Sequence, residues 1–261
     1  MQCASWLIAA GWFGVLSGSG PAWGAETKEV NPVLLERFEA RVSRDAEGRT
    51  LRYRLFKPPG ATTNLPLVLF FHGAAGLGDD NVRQFNGGNE VPPGVLTAPE
   101  NQARFPCFVL APQCPRTDSW GGSGTRVTPT LRMTLALLDT LPREFPIDRR
   151  RLYLVGVSMG GRGVWETVLH YPDTFAAAVP ICAAGEPEGL GRIQHLPVWC
   201  FHGADDPTVP VSYARRMMAA LRKAGGHPKY TEYPGVGHDS YRNAFREPEL
   251  LPWLFAQRRS G

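Results

Sequence analysis

A chain of 261 residues with 43% hydrophobic and 20% charged residues has the composition of a folded globular protein, which excludes an intrinsically disordered one. The net charge of +4 is scattered, and its one dense basic run, Arg149 to Arg151, leads into an apolar strand with no stacking aromatics beside it, so no nucleic-acid partner is expected. The length suits one large α/β domain.

The first charged residue is Glu26, and residues 6–16 before it are apolar. That run is long enough for a signal-peptide core and short for a membrane span. Ala22-Trp23-Gly24 puts small residues at the two positions a signal peptidase reads. Residues 1–24 are therefore expected to be a signal peptide, with an exported mature chain that starts near Ala25 and holds no stable membrane span. No basic residue follows Met1, the one leader feature that is missing. Residues 25–50 are polar with a short helical pattern and are expected to be an N-terminal extension, with the folded domain over 51–261.

Residues 51–57 alternate as an edge strand should and end at Pro58-Pro59-Gly60. The next run, 67–71, has almost no polar alternation, as expected of a strand buried on both faces of a mainly parallel sheet. Residues 73–104, rich in Gly, Pro and Asn with little periodicity, are expected to be a long surface excursion. Similar apolar runs closed by Gly or Pro recur at 108–111, 152–157, 176–181, 198–201 and 230–233. Between them Leu131, Leu135 and Leu138, then Val164, Trp165, Val168 and Leu169, then Met217 and Leu221 make helical stripes. The alternation predicts an α/β fold: a mainly parallel central sheet with helices on both faces.

Four cysteines follow the leader: Cys107, Cys114, Cys182 and Cys200. None has zinc-ligand spacing. The four-residue strand between Cys107 and Cys114 alone spans roughly 13 Å, against the ~7 Å limit between disulfide-linked Cα atoms. All four are read as small buried hydrophobes.

The sharpest chemical signal is Gly156-Val157-Ser158-Met159-Gly160, between an apolar strand and a helical stripe. Such a G-x-S-x-G turn holds a serine hydroxyl clear of the backbone as a nucleophile. A serine hydroxyl needs a base within hydrogen-bond reach and an anion to orient that base. His238 follows the last apolar strand, in Pro234-Gly235-Val236-Gly237-His238, and is the expected base. His72 and His202 end strands before a glycine, and His170, His195 and His227 lie at a helix end or in polar connections, so these five are read as structural. For the acid, Asp206 is preferred over its neighbour Asp205 because Pro207 fixes the chain just after it, with Glu186 a more distant candidate. An oxyanion hole needs two backbone N–H groups. Met159, after the nucleophile, supplies one; the loop His72-Gly73-Ala74-Ala75-Gly76 supplies the other, from Ala74 or else Ala75.

Together with Ala111-Pro112-Gln113-Cys114-Pro115, Ser119-Trp120 and Tyr171-Pro172-Asp173, these motifs resemble the α/β-hydrolase superfamily. The resemblance is to its exported esterases and peptidases related to polyhydroxybutyrate depolymerases, feruloyl esterases and phospholipase/carboxylesterases. It spans roughly residue 51 to the C-terminus, and implies an α/β-hydrolase catalytic domain with the triad Ser158, Asp206 and His238. It also suggests that Trp120 lines the acyl or leaving-group pocket, a buried core aromatic being the other reading. The expected activity is hydrolysis of small, soluble or side-chain carboxylic esters, with no metal and no cofactor. Peptide cleavage by the same machinery, and a non-catalytic binding protein on this fold, are the alternatives. The oligomeric state is left open.

Overall fold

A computed structural model describes residues 31–121 and 127–259; the expected signal peptide and the start of the mature chain lie outside them. Within them eight strands form one sheet in the order β1-β2-β4-β3-β5-β6-β7-β8. The strands are β1 (Glu39–Arg44), β2 (Thr50–Phe56), β3 (Leu65–Phe71), β4 (Phe108–Pro112), β5 (Ile147–Val157), β6 (Ala177–Ile181), β7 (Trp199–Gly203) and β8 (Lys229–Tyr233). The β1–β2 and β2–β4 pairings are antiparallel, and all pairings from β4 to β8 are parallel.

Successive side chains of a strand point to opposite faces, and here each face has its own core. Leu67, Leu69 and Phe71 pack with α4 (Pro129–Glu144), α5 (Met159–His170) and α6 (Ser212–Lys223). Val68 and Phe70 pack on the other side with α1 (Pro32–Glu36), α2 (Val91–Leu96) and α8 (Leu250–Ala256). Burial on both faces explains why β3, β4 and β6 read as unbroken apolar runs.

The three stripes found in the sequence all belong to one face, and they were visible because α4, α5 and α6 are 12 to 16 residues long and repeat their apolar positions over several turns. The other face is covered by helices of seven residues or fewer, too short to show a period. Residues 73–104 belong to that cover and are not a surface excursion. Phe85 and Leu96 are almost fully buried, and α2 and α3 (Pro99–Arg104) are six residues each. Buried amides anchor the segment: Gln113 Oε1 accepts from Asn81 N–H at 2.6 Å, and Asn81 Nδ2 donates to the Tyr53 carbonyl at 3.1 Å.

The sheet also starts earlier than expected. Strand β1 lies inside the segment assigned to the N-terminal extension and covers β2, so β2 is not an edge strand. Its residues are half-exposed or exposed, which leaves Glu39-Ala40-Arg41-Val42-Ser43-Arg44 without a buried stripe. No helix among the described residues is long and apolar enough to cross a membrane.

Candidate active site

Strand β5 ends at Val157 and α5 begins at Met159, so Ser158 alone makes the turn. Its φ of 54° and ψ of −117° lie where a residue with a Cβ is strained, at a cost of order 1–3 kcal/mol. The surrounding bonds impose it: Ser158 N–H donates to the Ile181 carbonyl at 2.9 Å, and Arg162 N–H to the Ser158 carbonyl at 3.0 Å. The flanking glycines allow the approach. A Cβ on Gly156 would overlap the Gly160 carbonyl, and one on Gly160 would overlap the carbonyl of Phe71 at the end of β3.

The loop carrying His238 is pressed onto the end of β7. A Cβ on Gly203 would overlap the carbonyls of Val236 and Gly237, and Asp205 N–H donates to the Val236 carbonyl at 3.0 Å. The contact sets three side chains in series. His238 Nε2 is 2.8 Å from Ser158 Oγ, and His238 Nδ1 is 2.7 Å from Asp206 Oδ2. The Asp206 side chain has no solvent exposure, whereas that of His238 keeps 27%. Asp206 Oδ1 accepts from the N–H groups of Thr208 and Val209 at 2.8 and 2.9 Å, which fixes the carboxylate's rotation. Asp205 is exposed, and Glu186, also exposed, lines a separate hollow with Glu166, Glu188 and Arg192.

Ala74 opens a 3₁₀ turn, Ala74–Gly76, and Met159 opens α5. A first-turn N–H has no partner within its own helix, so both residues present free donors. Gly73 brings the two turns together: a Cβ on it would stand 3.4 Å from the Ser158 Cβ. Its own N–H is held by Asn89 Oδ1 at 2.7 Å.

Trp120 does not line a pocket. It is fully buried, and its indole N–H donates to the His72 carbonyl at 2.9 Å. Its ring stacks on Phe71 at the end of β3 and meets His72, the residue just ahead of the loop that carries Ala74. His72 is buried in the same layer, with Nδ1 2.7 Å from the Gly73 carbonyl and Nε2 3.0 Å from Cys114 N. A carbonyl accepts and an amide donates, so the ring is the neutral Nδ1–H tautomer. Burial pushes its pKa down to about 4, in the same sense.

His202, read from sequence as structural, also belongs to this neighbourhood. Its Nε2 lies 2.9 Å from the Val209 carbonyl and 3.3 Å from Asp206 Oδ2. Asn89 was not singled out either. The signal for both His72 and His202 is a titratable ring ending an apolar strand, where water cannot solvate a charge. The four cysteines are free and buried, and burial pushes the thiols of Cys107, Cys114 and Cys182 up to about 12.

The chain as a whole is similar to known proteins. A crystal structure of a thermostable esterase superposes with a TM-score of 0.80 and 36% identity, covering 87% of this chain and 64% of the esterase. A bifunctional acetylxylan esterase/xylanase of Neocallimastix patriciarum is 28% identical over 157 residues, covering 58% of this chain and 21% of that protein. An uncharacterized secreted protein of Arthroderma benhamiae is 28% identical over 148 residues, covering 40% of this chain and 16% of that protein. The chain thus matches about a fifth or less of the length of these two curated relatives. The fold is that of the α/β-hydrolases, and the model of the dienelactone hydrolase family matches residues 117–248, about half of the chain. The chain belongs to the dienelactone hydrolase family.

Proposed function

We propose that this protein is a serine hydrolase that cleaves carboxylic esters through an acyl-enzyme on Ser158. The observation that carries the reading is the unbroken series from Ser158 Oγ to His238 Nε2 and from His238 Nδ1 to Asp206 Oδ2, at 2.8 and 2.7 Å. In that geometry His238 Nε2 takes the Ser158 proton as Oγ adds to the ester carbonyl. The N–H groups of Met159 and Ala74 receive the developing oxyanion, donors of a kind each worth on the order of 10²–10³ in rate. Collapse breaks the bond to the alcohol, which leaves with the proton held on His238. Water then loses a proton to His238 and adds to the acyl carbonyl, and the acid leaves as Ser158 regains its proton. Asp206 keeps the imidazole in the Nδ1–H tautomer and stabilises the imidazolium of both half-reactions.

The relatives named for ester cleavage support the reaction class, and the acetylxylan esterase supports a short acyl group on a side-chain alcohol. A panel of p-nitrophenyl esters and peptide p-nitroanilides, with fluorophosphonate labelling of Ser158, tests the reading. Ester turnover and labelling at Ser158 are expected; turnover of anilides alone, or no labelling, rejects it. We also propose export, with residues 1–24 as the signal peptide, the mature chain starting near Ala25 and the catalytic domain taking in α1 and β1. The apolar run ahead of Glu26 and the secreted relative support this, and N-terminal sequencing of the exported protein tests it.

A further inference from the structure

We infer that His202 is a positioning residue for the Asp206–His238 pair, its Nε2–H hydrogen-bonded to the Val209 carbonyl while the ring stands against the same carboxylate oxygen that His238 uses; this rests on the triad proposed above.

His202 lies on β7, and its side chain is fully buried. Because the Val209 carbonyl at 2.9 Å can only accept, Nε2 must carry the proton. That N–H makes its hydrogen bond to the Val209 carbonyl, and Nε2 also stands 3.3 Å from Asp206 Oδ2. Nδ1 is left unprotonated, buried and without a hydrogen-bond partner. An unpaired buried nitrogen costs stability, and an apolar ring of similar size would avoid that cost. Packing alone does not account for an imidazole here; what the ring adds over a phenyl group is the Nε2–H donor. Burial also lowers the basicity of the ring, which keeps it neutral.

Thr208 and Val209 N–H groups hold Oδ1, His238 holds Oδ2, and His202 Nε2 stands 3.3 Å from that same Oδ2. The effect on His238 has a sign. The positive end of the His202 N–H dipole beside Oδ2 stabilises the carboxylate's charge, so the carboxylate stabilises a proton on His238 Nε2 less. Removing the donor raises the proton affinity of His238 and frees the carboxylate to rotate. The other ionisable groups around the pair come from every element packed on it. Glu232 on β8 is held by Arg215, Asp239 next to His238 lies 3.8 Å from Arg242, and the exposed Asp205 precedes the carboxylate. Cys182, after β6, is buried, with its thiol pushed up to about 12.

The test compares full-length wild type, His202→Phe and His202→Gln. The imidazole nitrogens are followed by NMR between about pH 5 and 8, and the pH dependence of kcat and KM is measured on p-nitrophenyl acetate. In wild type, His202 is expected as the neutral Nε2–H tautomer throughout. In His202→Phe, His238 is expected to titrate higher by about half a pH unit or more, with kcat down about tenfold or more at little change in KM. His202→Gln, which keeps an N–H donor, should recover most of both. An Nδ1–H tautomer in wild type overturns the inference without reference to any variant. So does a His238 titration in folded His202→Phe that coincides with wild type. Failure of Ser158 to label in wild type rejects the ester-hydrolase reading instead, while the His238 titration still decides the role of His202.

Discussion

The indole of Trp120 stacks on Phe71 with ring centroids 4.3 Å apart and donates its N–H to the carbonyl of His72. One side chain thereby grips the last two residues before the loop that carries Gly73 and Ala74. Trp120→Phe keeps much of the stacking and removes the donor, leaving a buried carbonyl unpaired at a cost of about 1–3 kcal/mol. Because the loop presents the Ala74 N–H, the variant should also lose kcat, by about tenfold, with KM nearly unchanged. Thermal unfolding and steady-state kinetics check both. A change in KM and in acyl-chain preference at constant kcat would restore Trp120 to the substrate pocket.

His72 should make stability depend on pH. Its folded pKa lies near 4, below the ordinary 6.5, so between those values the unfolded chain binds the extra proton and the folded protein does not. Stability is then complete above about pH 6.5 and is lost as pH falls toward 4. From pH 7.5 to pH 5 the loss from this group amounts to about 2 kcal/mol. Burial lowers the basicity of His202 too, which adds in the same direction. Urea unfolding at the two pH values measures the loss, and His72→Asn should reduce it.

What was legible in the sequence was what burial on both faces of a sheet enforces. Strands β3 to β7 read as apolar runs because neither face meets water, and the turn after β5 stood out because only glycine fits at Gly156 and Gly160. Strand β1 was missed because its pattern has no buried positions, and the helices of the second face because seven residues or fewer carry no period. His72 and His202 were read as structural, with no partner assigned to either. The role of an imidazole is set by its partners, and Cys114 is 42 residues from His72 in sequence. Asp206 could be preferred over Asp205 from Pro207. The reason its side chain faces His238 is the pair of bonds from Thr208 and Val209 to its Oδ1, which sequence spacing does not display.

Removing the members of the hydrogen-bonded series should have graded effects. Ser158→Ala and His238→Ala are each expected to lower kcat by about 10⁵–10⁶-fold, and the double variant by little more, because the two groups act as one unit. Asp206→Asn should cost about 10⁴-fold, since an amide favours the wrong imidazole tautomer. Asp205→Asn, at an exposed neighbour, should match wild type. Steady-state turnover of a p-nitrophenyl ester measures all five variants. Equal rates for Asp206→Asn and wild type would remove Asp206 from the mechanism.

The approach of two backbones at Gly203 and Gly237 offers a test that touches no reacting group. An added Cβ at Gly203 would press on the carbonyls of Val236 and Gly237, and because those atoms are backbone, the loop itself must move. Displacing His238 by about 1 Å from Ser158 is enough to cost about 10²-fold in kcat. Gly203→Ala should therefore lose activity of that order while keeping its far-ultraviolet circular dichroism, and should lose the NMR signature of an Nδ1–H bonded to Asp206. Gly94→Ala is the control: nothing stands within 4 Å of its added Cβ. It lies in helix α2, where alanine is favoured over glycine by roughly 0.5–1 kcal/mol, so its activity should be unchanged and its stability equal or slightly higher. If Gly203→Ala kept full activity, the hold of β7 on the His238 loop would not be what aligns the imidazole.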